Sequence, residues 1–131
     1  MRLYSEAEAR ELLPEVIPVV ERLSEAFIEL RALKAAISSE ARGAAGDGNL
    51  LADPWAETDG EDRGERLARQ VRDAAARLDD WGIELKDPER GLIDFYHQRG
   101  TEVVFLCYLL GERDIEYWHT LTGGFAGRQR L

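Results

Sequence analysis

The run Val103 to Leu110, VVFLCYLL, is apolar at every position. Side chains alternate between the two faces of a strand. Val103, Phe105, Cys107 and Leu109 therefore lie on one face, and Val104, Leu106, Tyr108 and Leu110 on the other. A sheet with one wet face alternates apolar with polar residues. Both faces of this strand must therefore be covered, and the rest of the chain has to supply the covers or a second copy must.

Periodicity shows one cover. Val16, Val20, Leu23, Phe27, Leu30 and Ile37 recur at steps of three, four and seven, and Leu67, Val71, Ala74, Leu78 and Trp81 at steps of three and four. These near-heptad stripes predict two long helices packed as an antiparallel hairpin over residues 5–82. Ser5 and Glu8 have the spacing of a capping box, and Leu3 stands where it could staple onto Ala9 or Leu12. Pro14 and Pro18 each remove an amide donor, which predicts a short first helix to about Leu13 and a break or bend before the long one. Glycines and polar residues over about 38–64 predict a flexible linker, with Leu50, Leu51 and Trp55 able to dock back on the helices.

At Gly82 the period changes from helical to alternating. Ile83–Lys86, Leu92–His97, Glu102–Leu110 and Ile115–His119 read as strands separated by turns at Asp87–Gly91, Gln98–Thr101 and Gly111–Asp114. The expected fold is α+β in a single domain, 1–131: a helical hairpin followed by an antiparallel meander of three to four strands, with the tail, over 83–131.

Charge removes several function classes. Net charge is −9 and the isoelectric point about 4.7. Residues 1–85 carry 11 basic and 19 acidic side chains, and residues 86–131 carry 6 and 7. Such a surface repels phosphate backbones and anionic lipid, so neither nucleic acid nor membrane is an expected partner. The N-terminal segment lacks the apolar core of a signal peptide, and Cys107 has no partner for an intrachain disulfide. A cytoplasmic location is expected.

The residues that carry chemistry gather between Lys86 and Arg128. Asp94, Cys107, Glu112 and His119 could converge through antiparallel pairing, with His97 and Glu116 further out. Carboxylate and imidazole together suit a divalent ion such as zinc, manganese or iron. Asp94, Glu112 and His119 form the proposed ligand set, with Cys107 as an additional candidate. Each has a plainer reading. Asp94 can accept hydrogen bonds from a turn amide or Arg128, Cys107 can be an inert core thiol, Glu112 can bond turn amides, and His119 can close a strand. Trp118, Phe125 and Arg128 are candidate binding residues, equally readable as core aromatics and a tail anchor. A Cys-His hydrolase lacks support, because a mid-strand thiol offers neither exposure nor an oxyanion hole.

Several short stretches together resemble a known family. They are Glu6-Ala7 with Leu12-Leu13-Pro14, Ile83 to Asp87, Gly91 to Phe95, Leu106-Cys107, Gly111-Glu112, Trp118-His119, and Gly124-Phe125 with Arg128. In these the chain resembles the small bacterial proteins grouped as domain of unknown function 2203. The family pattern has tryptophan after the cysteine, where this chain has Tyr108. The resemblance implies a soluble bacterial protein and marks the same C-terminal stretch, but it brings no activity. Two functions therefore stand side by side. One is a non-enzymatic interaction or structural module acting as a homodimer, with a possible protein partner. The other is a metal-dependent or small-molecule-binding enzyme built on Asp94, Glu112 and His119.

Overall fold

The computed structural model describes residues 1–47 and 54–131, with side chains described for 1–39 and 62–131. Two helices, α1 (Glu6–Asp47) and α2 (Pro54–Asp80), precede five strands. These are β1 (Ile83–Asp87), β2 (Leu92–Arg99), β3 (Glu102–Leu109), β4 (Tyr117–Thr120) and β5 (Gln129–Arg130). They pair antiparallel in chain order. The α+β expectation holds, but the strand count is five. The addition, β5, is two residues long and follows a glycine-rich tail, so it has no alternation to detect. Its pairing to Tyr117 and Trp118 is extended by the Leu131 amide donating to the Glu116 carbonyl at 3.0 Å.

The capping box forms: the Glu8 amide donates to Ser5 Oγ at 3.0 Å, and the Ser5 amide to Glu8 Oε1 at 3.1 Å. The staple does not, since Leu3 is exposed. Tyr4 does the anchoring instead. It is buried, its amide donates to the Tyr96 carbonyl at 2.7 Å, and its hydroxyl reaches the Trp81 carbonyl.

No break follows. Helix α1 runs unbroken through Pro14 and Pro18. Both prolines lie on the exposed side, where the carbonyls they orphan can bond water. Leu13, Val16, Val20 and Leu23 hold the opposite side in the core. Of the expected linker, 38–47 belongs to α1 and 54–64 to α2. The rest lies outside the described residues, as do the side chains of Leu50, Leu51 and Trp55.

The inner face of the sheet presents Ile93, Phe95, Leu106 and Tyr108 to α1 and α2. The outer face carries Asp94, Phe105, Cys107 and His119, also buried. Phe105 is flanked by the Tyr96 ring at 4.7 Å and the Lys86 ammonium at 4.5 Å. The far end is flanked by the tail, with Arg128 lying 3.9 Å from the Tyr117 ring centroid. Thus the second face of β3, the ground for expecting a homodimer, has its central residues buried within one chain.

One turn is tightly specified. Gly91 opens β2 at φ 67°, and a Cβ there would meet Leu110 Cβ at 2.7 Å. Gly100 has φ 64° but open space around it. Gly91→Ala is therefore expected to lose more than the roughly 1–2 kcal/mol that left-handed backbone alone imposes, and Gly100→Ala no more than that. Urea denaturation of both variants checks the order; equal losses would show that Leu110 gives way.

Candidate metal centre

Asp94 and Cys107 are direct partners in the β2–β3 ladder. In the β3–β4 ladder Tyr117 stands opposite Cys107, and His119 stands two residues further along β4. All three functional side chains project from the outer face. One ligand atom from each of Asp94, Cys107 and His119 lies within 4.8 Å of the others. The three residues are 0–2% exposed.

The hydrogen bonds define the imidazole. His119 Nδ1 lies 2.7 Å from the Thr120 carbonyl oxygen. A carbonyl only accepts, so Nδ1 carries a proton and donates. Nε2 sits 3.0 Å from each carboxylate oxygen of Asp94. A neutral imidazole held this way presents a lone pair at Nε2, and an ionised carboxylate offers only lone pairs. Some cation has to lie between them: a proton or a metal ion. The Thr120 contact is also the kind of outer support that fixes a metal-ligating histidine.

Burial dominates the other two groups. It raises the Asp94 carboxyl above the usual range, opposed by the neighbouring His119 and by a hydrogen bond with Cys107. It also drives the Cys107 thiol strongly upward, and the negative charge of Asp94 adds to the rise. A metal reverses this logic, because a coordinating thiol loses its proton outright. The metal-free protein is thus expected to resist iodoacetamide at pH 8 and to take up one equivalent only when unfolded, read by mass spectrometry. Native labelling at the denatured rate would place the sulfur at the surface.

Glu112 is brought near but not into this cluster. Its carboxylate accepts from Arg128 Nη2 at 2.7 Å on both oxygens and from the Leu109 amide at 2.6 Å. So Arg128 serves Glu112 rather than Asp94. Trp118 lies opposite Leu106, packs against the inner core, and meets Arg99 at 4.4 Å. Phe125 is 39% exposed in a short 3-10 turn. His97 lies outside this cluster, its Nδ1 2.7 Å from the Tyr4 carbonyl. Thr120 escaped sequence reasoning because its contribution is a backbone carbonyl, which leaves no side-chain signal.

A family model described as an uncharacterized conserved protein, DUF2203, matches residues 2–131. The chain belongs to this family. The match to this DUF2203 model spans both helices and the whole sheet, so Asp94, Cys107 and His119 all fall inside it. No curated protein and no solved structure matches the chain. Among the described residues, no helix is long and apolar enough to cross a membrane.

Proposed function

We propose that this DUF2203 protein is a non-enzymatic module that holds one transition-metal ion on Asp94, Cys107 and His119. The carrying observation is the convergence of three lone-pair donors at one buried point, with the imidazole proton committed to Thr120. A proton bonds best along a single N···O line. Equal approach of Nε2 to both Asp94 oxygens, beside a sulfur, fits a larger cation better. Thiolate, imidazole and carboxylate favour zinc or iron(II) over manganese, which prefers oxygen. Full burial supports a structural role: a substrate cannot touch these groups without movement, whereas an ion there ties β2, β3 and β4 together. Cobalt(II) titration of the chelator-treated protein tests this. Visible d–d bands and a near-ultraviolet thiolate-to-cobalt band are expected, the latter lost in Cys107→Ser. A spectrum identical to free cobalt would remove the reading.

Self-association is a second proposal, now resting on the hairpin. Ile28 and Ile37 are 47% and 44% exposed there. Sedimentation equilibrium near twice 14.8 kDa would support it, and a lasting monomer at micromolar protein would end it.

A further inference from the structure

Cationic and aromatic side chains alternate along one end of the outer face. Arg90 Cζ lies 4.6 Å from the centroid of the Phe125 ring. Arg128 Cζ lies 4.8 Å from that same ring and 3.9 Å from Tyr117. Arg130 Cζ lies 5.9 Å from Tyr117. The order is Arg90, Phe125, Arg128, Tyr117, Arg130. Of the eight such contacts among the described residues, four fall on this one strip.

The fold makes the strip from separate pieces. Arg90 comes from the turn between β1 and β2, Phe125 from the 3-10 turn, and Tyr117 and Arg130 are ladder partners in β4 and β5. Each guanidinium rests on a ring that limits its freedom, so little entropy remains to be lost when it binds. The central arginine already has its carboxylate, Glu112. Arg90 and Arg130 have no ion pair among the described residues, and both are exposed. In a chain of net charge −9 this is an unexpected place for unpaired cations.

We propose that the strip docks an acidic segment of a partner protein, whose carboxylates pair with Arg90 and Arg130. A guanidinium fork matches a planar carboxylate with two parallel hydrogen bonds. Phe125 offers a half-open ring for the apolar stems of such a segment. A second copy fits less well: the acid-rich part of this chain is the helical hairpin, and a single hairpin-on-strip contact is heterologous, giving rings or open chains rather than the two-fold dimer proposed above. The proposal is independent of the metal centre.

The test is fluorescence anisotropy with a fluorescein-labelled peptide of eight glutamates at low ionic strength, against an octaglutamine control. Saturable binding is expected for the glutamate peptide alone. Replacing both exposed arginines, Arg90→Gln with Arg130→Gln, should weaken it at least tenfold. The charge-matched pair Arg22→Gln with Arg69→Gln, on the exposed hairpin surface, should leave it unchanged. Amide shifts of the wild-type protein on peptide addition should cluster at Tyr117, Phe125 and Arg130. Absence of saturable binding at millimolar peptide overturns the proposal. So does an equal loss in the hairpin variant, which would mean bulk charge alone. Displacement by inorganic phosphate at concentrations matching the peptide also overturns it, since the strip would then be a general anion site.

Discussion

Replacing Phe95 by alanine is expected to destabilise the protein by about 3–5 kcal/mol, the range for losing a buried phenylalanine and leaving a cavity. Phe95 is fully buried on the inner face of β2, opposite Ile83 on one side and Leu106 on the other. Its ring meets Tyr4 edge-on, with centroids 5.3 Å apart and planes at 85°. Tyr4 in turn ties the N-terminal segment to the end of α2, so the neighbours of the cavity are held from several directions and collapse poorly. Urea denaturation with an unchanged slope gives the value. A loss below about 1 kcal/mol would mean that Phe95 does not lie in the core.

Glu112→Ala is expected to lose roughly 2–3 kcal/mol, somewhat less than breaking a fully buried ion pair, because the two side chains keep limited exposure. Glu112 is 20% exposed and Arg128 10%. The substitution leaves the guanidinium between Tyr117 and Phe125 without an anion and removes the acceptor of the Leu109 amide. Arg128 Nε is already buried without a partner, so the cation has no alternative acceptor in place. Glu112→Gln keeps an oxygen for Leu109 and should lose less. Equal effects of the two variants would mean that the charge contributes nothing and that only the turn contact counts.

Much of this architecture is legible from residue spacing. The helical hairpin follows from the stripes at Val16–Leu23 and Leu67–Leu78, and the change of period at Gly82 places the start of the sheet. What the spacing hides is context. Proline's effect on α1 depends on which side Pro14 and Pro18 face, and that is decided by packing against a sheet some seventy residues later. Strand β5 is legible only through its partner Tyr117. The doubly apolar β3 calls for two covers, and Tyr96, Lys86 and the tail flank its outer face from within the chain.

The candidate site shows the same division. Asp94, Cys107 and His119 stand out as polar or reactive types within apolar strands, and antiparallel register alone brings Asp94 opposite Cys107. The choice of Glu112 as a ligand fails to see Arg128, whose guanidinium is drawn to it by two rings and a turn that have no joint signature in the chain. Cys107, placed last among the ligand candidates, lies inside the cluster because the register puts its sulfur on the same face as both partners. The Arg90–Arg130 strip joins a turn, a 3-10 segment and a two-residue strand, so no local pattern announces it.

The most direct measurement is elemental analysis of the purified, tag-free protein after dialysis against zinc and removal of free metal by a chelating resin. One zinc per chain is expected, falling to none in Asp94→Asn combined with Cys107→Ser while the helical circular dichroism is retained. Wild-type protein that is folded yet emerges from the resin without metal would contradict the account, and the Asp94–His119 pair would then be a buried hydrogen bond holding a shared proton.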